Sequence, residues 1–222
     1  MPASTPISRS KTAALARISD SVSKGYVRYV CGSVSVDKAE RMIRKLHERH
    51  EIGATPGRRA VRKASGKANA LLSIYWPPEA ARVEWMMLFT PGELSSPEPQ
   101  LREVADKPRP QWLGYELVRR AGGGKAGAAA AWTWRRPAAQ MAEHYALLSD
   151  ASNRHRWSAV GGHLEVIARQ PGFHGVREQS KKLFAEARRC GYAGELPQLF
   201  YVQKVAQGER FDLSPTRVAG AS

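Results

Sequence analysis

Residues 58–67 read Arg-Arg-Ala-Val-Arg-Lys-Ala-Ser-Gly-Lys, five cations in ten positions with no acid among them. Closely spaced cations suit phosphate chemistry, because each neutralised phosphate releases condensed counterions. Arginine adds a two-pronged donor that matches a phosphate or a guanine edge. Arg58, Arg59, Arg62, Lys63 and Lys67 are therefore the first candidates for contact with a polyanion. The plainer reading is a solvated loop whose charge maintains solubility. A second set, Lys38, Arg41, Arg44, Lys45 and Arg49, falls on the polar side of a helical period over 37–50. A third, Lys181, Lys182, Arg188 and Arg189, lies on the outer side of a helical period over 176–190, where Glu178 and Glu186 interrupt the basic face.

Other constellations are weaker. His47 and His50 stand three apart on one helix and lack a third metal ligand at recognisable spacing. His155 and His174 sit in turns near arginines, where phosphate contact is conceivable; the other histidines read as structural. Gly124-Lys125 is followed by Ala126, so a Walker loop is absent. Gly124-Lys125-Ala126-Gly127 matches the G-x-x-G of KH domains, but here it joins strands rather than helices. Glu84 and Glu116 are the carboxylates in strand-like stretches, and no spacing rule links them as an acid–base pair. Trp132 and Trp134 share one strand face. Exposed, they would stack on bases; buried, they are sheet core, which is the expectation. Two cysteines, Cys31 and Cys190, fit reduced thiols better than a disulfide framework. No catalytic residue, metal site or cofactor is expected.

These side chains must be held by ordered elements. Residues 1–23, rich in Ser, Ala, Thr and Pro, read as a flexible basic arm with room for a short helix over Thr12–Ile18. A strand follows over 26–34, then a helix over 37–50 with Asp37 and Glu40 as a capping box and Ala39, Met42, Ile43, Leu46 and His50 on its apolar face. After the basic loop, strands 70–76 and 82–90 form a hairpin. Residues 91–111 read as a proline-rich loop, and strands 112–120 and 130–136 as a second hairpin across a small, flexible connection. From Pro137 the period turns helical, giving three helices that end near Gly191, then a possible strand over 199–205. The last two helices meet at a short glycine-containing turn. They could form a helix-turn-helix or simply cover a sheet. The expected fold is α+β: a mostly antiparallel sheet with a ferredoxin-like β-α-β-β start and a second hairpin, covered by a C-terminal three-helix segment. The domains would be a 1–23 arm, a sheet domain over 24–136, a helical segment over 137–205 packing on that sheet, and a frayed tail over 206–222.

The formal net charge of +15 is uneven: residues 1–67 hold +10, residues 68–134 balance, and residues 135–222 hold +5. A fold does not require such asymmetry, so it speaks of partners. The longest strongly apolar run, Trp85 to Phe89, is far short of a bilayer span, and residues 1–24 lack the apolar stretch of a secretory signal. A cytoplasmic protein with no membrane partner is expected, and its Ala- and Arg-rich composition suits a bacterial source. The reading is a non-catalytic nucleic-acid-binding protein, DNA placed before RNA. The alternatives are an RNA- or DNA-processing nuclease on a ferredoxin-like fold, and a basic inhibitor or adaptor for an acidic protein partner. Oligomeric state is left open.

Overall fold

Strand β1 (Ser4–Ser8) and helix α1 (Lys11–Ser23) open the chain where composition suggests a flexible arm. Ser10 caps α1 by accepting from the Ala13 amide, and Ala14, Leu15, Ile18 and Val22 form a buried stripe at helical spacing. That stripe is what converts an arm into core. The computed structural model describes residues 4–120, 131–201 and 210–212, divided into two compact units: residues 1–107 with 206–222, and residues 108–205.

In the first unit, β2 (Arg28–Ser35) leads into α2 (Val36–His50) and then α3 (Pro56–Ala64). The hairpin β3 (Ala70–Tyr75) and β4 (Arg82–Phe89) follows. With β5 (Arg102–Glu103) and β9 (Arg210–Asp212), the sheet order is β5-β2-β4-β3-β1-β9. β4 lies between β2 and β3, antiparallel to both, so β2-α2-β3-β4 is the expected split β-α-β with its hairpin return. β1 runs parallel to β3 at Ile7–Ile74, and β9 pairs antiparallel to β1. The expected frayed tail thus contributes a strand at 210–212; its remaining residues lie outside the described ones.

Sheet alternation sends Val30, Leu72, Ile74, Val83, Met87 and Phe89 to one face, where Ala39, Ile43 and Leu46 of α2 cover them. Tyr29, Ser73, Met86 and Leu88 on the other face are buried too. The chain crosses the sheet in opposite directions from β1 to β2 and from β2 to β3. Right-handed crossovers therefore put α1 and α2 on opposite faces.

The second unit contains β6 (Gln111–Trp112), β7 (Tyr115–Arg120) and β8 (Ala131–Arg135) as a three-stranded antiparallel sheet. Helices α4 (Ala138–Asn153), α5 (Trp157–Ala168) and α6 (His174–Arg189) follow, with α6 against β8. The boundary expected at residue 136 therefore lies near 108, because this hairpin folds with the helices rather than with the first sheet. Leu148, Val160, Leu164, Ile167, Leu183 and Ala187 form the helical core. Gly161 leaves room for Tyr192, whose hydroxyl would lie 2.8 Å from a Cβ there. Trp134 is fully buried as expected, and Trp132 is half-buried. Residues 199–201 form no strand, and the rest of the strand expected over 199–205 lies outside the described residues, as does the glycine-rich connection at 121–128.

Candidate nucleic-acid interface

Ser35, not Asp37, is the N-cap of α2, which places Asp37 in the first turn. There a hydrogen bond from Ser35 holds its carboxyl below the usual range. The helix buries Ala39, Ile43, Leu46, His47 and His50, so Lys38, Arg41 and Lys45 line up outside at spacings of three and four. All three are exposed and enter no ion pair among the described residues. Arg44 is half-buried and paired with Glu40 at 2.8 Å. Arg49 donates to Ser96 at 2.9 Å and lies 3.5 Å from Glu98. Beside this basic edge runs an open depression lined by Asp37, Glu40 and Glu48 as well as Arg41, Arg44 and Lys45. Its lining holds three acids and three cations, and Arg41 and Lys45 of the basic edge are among them.

Residues 56–64 form helix α3 where a loop is expected. The signals are local: Thr55 accepts from the Arg58 amide as N-cap, and Pro56 starts the helix with its φ already suitable. Arg59, Lys63 and Lys67 are exposed and unpaired among the described residues. Arg58 is exposed but pairs with Glu51 at 3.1 Å. Arg62 departs from the expectation of a phosphate contact, because it is buried. Its guanidinium donates to the Glu51 carboxylate, the Ala68 carbonyl (2.7 Å) and the Ser95 hydroxyl (2.7 Å). Buried and donating to three acceptors of its own unit, this guanidinium is not presented to a polyanion. Glu51, the left-handed cap of α2, thus holds Arg58 and Arg62 of α3 and ties the two helices together. After α3, Gly66 at φ 74° turns the chain, and Lys67 pairs in register with Glu93. Gly92 permits that approach, since a Cβ there would lie 2.5 Å from the Gly66 carbonyl oxygen.

In the second unit, Lys181 pairs with Glu178 at 2.9 Å and Arg189 with Glu186. Arg188 donates to the Tyr192 carbonyl at 2.6 Å. Lys182 alone of these four cations is exposed and unpaired among the described residues. Acids of the helix thus neutralise two of these four cations, and α5 and α6 share their buried residues with the helical core. Glu116 is likewise engaged, with Arg135 at 2.9 Å.

No protein-family model, curated protein or solved structure matches this chain. Among the described residues no three His, Cys, Asp or Glu side chains cluster to hold a metal ion. His47 and His50 point to different partners: His47 Nε2 meets Thr5 Oγ1, and His50 Nε2 meets Glu98 at 2.7 Å. Burial pushes His47 down to about 4. It also lowers His50, against the pull of Glu98.

Sequence reasoning misses two buried polar groups of the second unit. Arg136 is fully buried and meets neutral acceptors only: Gln170 Oε1 (2.5 Å), the Val176 carbonyl (3.0 Å), Ser180 Oγ (2.8 Å) and, more loosely, the Ile167 carbonyl (3.4 Å). Burial pushes it down to about 10. His144 Nδ1 and His163 Nε2 lie 3.1 Å apart, and burial first, then Arg136 and His163, drive His144 down to about 4. An Arg-Arg-Pro start to a helix carries no signal that one arginine turns inward.

Proposed function

We propose that the protein binds nucleic acid, DNA before RNA, through the first unit and without catalysing a reaction on it. The observation that supports this reading is a set of six exposed cations, Lys38, Arg41, Lys45, Arg59, Lys63 and Lys67, that form no ion pair among the described residues. They lie on or just after two consecutive helices joined through Glu51. Exposed cations with an acid three or four residues away on their own helix can pair with it, as Arg44, Lys181 and Arg189 do. Leaving six unpaired concentrates a potential that attracts phosphates.

The test is fluorescence anisotropy of a labelled duplex at rising salt. Six phosphate contacts give a log–log slope of about −5, hence a loss of about a thousandfold in affinity between 50 and 200 mM salt. Replacing all six cations by glutamine abolishes binding at 50 mM salt, and incubation with Mg²⁺ leaves the strands intact. Salt-insensitive binding, or wild-type affinity in the six-site variant, refutes the assignment.

A further inference from the structure

Helix α3 has a property that charge alone does not explain: every residue from Pro56 to Ala64 except Arg62 is exposed. A surface helix normally buries an apolar stripe, and one of nine residues has little stability of its own. Here no α3 residue belongs to the apolar core, and Val61 is 69% exposed. Three polar devices hold the helix instead: the Arg62 fork, the Thr55 cap, and Asn69 donating to the Arg59 carbonyl at 3.1 Å. The result is a short helix standing out from its unit, attached along one line. That exposure leaves the outer faces of α3 open to a partner.

Resting on the nucleic-acid reading, we infer that α3 enters the major groove of duplex DNA. A B-form major groove about 12 Å wide admits a helix about 10–12 Å across. Nine residues span about 13 Å, or about four base pairs. By helical period, Gly57, Ala60 and Ala64 lie opposite the buried Arg62, and Arg59 and Lys63 share one flank. The small outward residues let the backbone sit close to the groove floor, while the flank cations reach the phosphates of one strand. With no long polar side chain facing the base edges, the contact reads groove shape and phosphate position more than base sequence. Duplex RNA does not fit, because its major groove is too deep and narrow for a helix.

Affinities for one sequence as duplex DNA and as duplex RNA, measured across a salt series, test this. The wild type binds the DNA duplex at least about tenfold more tightly. Ala60→Leu, a neutral change at an exposed position, lowers DNA affinity about tenfold without changing the salt slope; Ala60→Ser keeps wild-type affinity. Arg59→Ala with Lys63→Ala reduces the slope by about two. Unchanged thermal midpoints and helicity establish that each variant is folded, and Ala64→Leu replaces Ala60→Leu if that variant is not. Equal affinity for both duplexes, or full DNA affinity with leucine at the outward face, overturns groove insertion while leaving phosphate binding intact. Failure of the wild type to bind any nucleic acid at 50 mM salt overturns the nucleic-acid reading itself.

Discussion

Replacing Arg62 by methionine removes the fork that holds α3 while keeping an unbranched side chain of similar reach. The guanidinium makes three hydrogen bonds, one to a carboxylate and two to neutral oxygens. Hydrogen bonds from a charged donor contribute about 1.5–3 kcal/mol each when buried. Glu51 is 37% exposed and keeps Arg58, so its share is discounted for solvent. A net loss of about 3 kcal/mol is reasonable, which raises the local opening equilibrium of α3 by about a hundredfold. A nine-residue helix has no reserve against that loss. Because no α3 residue lies in the apolar core, the sheet should remain intact. Hydrogen exchange read by mass spectrometry is the assay. Amides over 56–64 should lose their protection while β3 and β4 keep theirs, and nucleic-acid affinity should fall although Arg62 itself is buried. Arg62→Lys should resemble methionine, since one ammonium cannot reproduce the planar fork. Wild-type protection of 56–64 in the methionine variant would refute the anchoring role; uniform loss across the sheet would show that α3 is part of the cooperative core.

His47 is held neutral in the folded state, with its pKa lowered to about 4 by burial, so the unfolded chain binds its proton first as pH falls. Stability of the first unit should be intact above about pH 6.5 and decline between there and about pH 4, by about 1.4 kcal/mol per pH unit from this group. Urea unfolding across that range checks it, and His47→Gln should flatten the decline; an unchanged slope in that variant would exclude His47 as the cause. In the second unit, Arg136→Lys should lower stability by about 3 kcal/mol, because a single ammonium leaves several of the buried oxygens around it without a donor. Denaturant unfolding that reports a loss below about 1 kcal/mol would mean that water replaces the guanidinium there.

Much of the architecture is legible as periodicity. The strand at 28–35, the helix at 36–50, both hairpins and the three C-terminal helices follow from alternation or from 3–4 spacing. Composition is a poorer guide. Residues 4–23 look like an arm because Ser, Ala and Thr dominate them, yet four apolar residues at the right spacing suffice once a sheet is present to bury them. Density of charge likewise hides α3: its helix rests on Thr55, Pro56 and one inward arginine, with no apolar stripe to announce it. The hairpin at 115–135 reads correctly as a hairpin and is assigned to the wrong unit, since local pattern does not say which core a sheet joins.

By itself the sequence determined the excess of positive charge and its concentration before residue 68. Those are sums over residues and need no coordinates. The tertiary structure decided which cations remain free. Arg58 and Arg62 meet Glu51, Arg44 meets Glu40, and Arg49 meets Ser96 and Glu98, while Lys38, Arg41, Lys45, Arg59, Lys63 and Lys67 have no such partner among the described residues. Several of these pairings join residues 10 to 50 positions apart and depend on how α2, α3 and the 91–98 segment fold back on one another. An arginine's count is a property of the chain; its availability is a property of the fold.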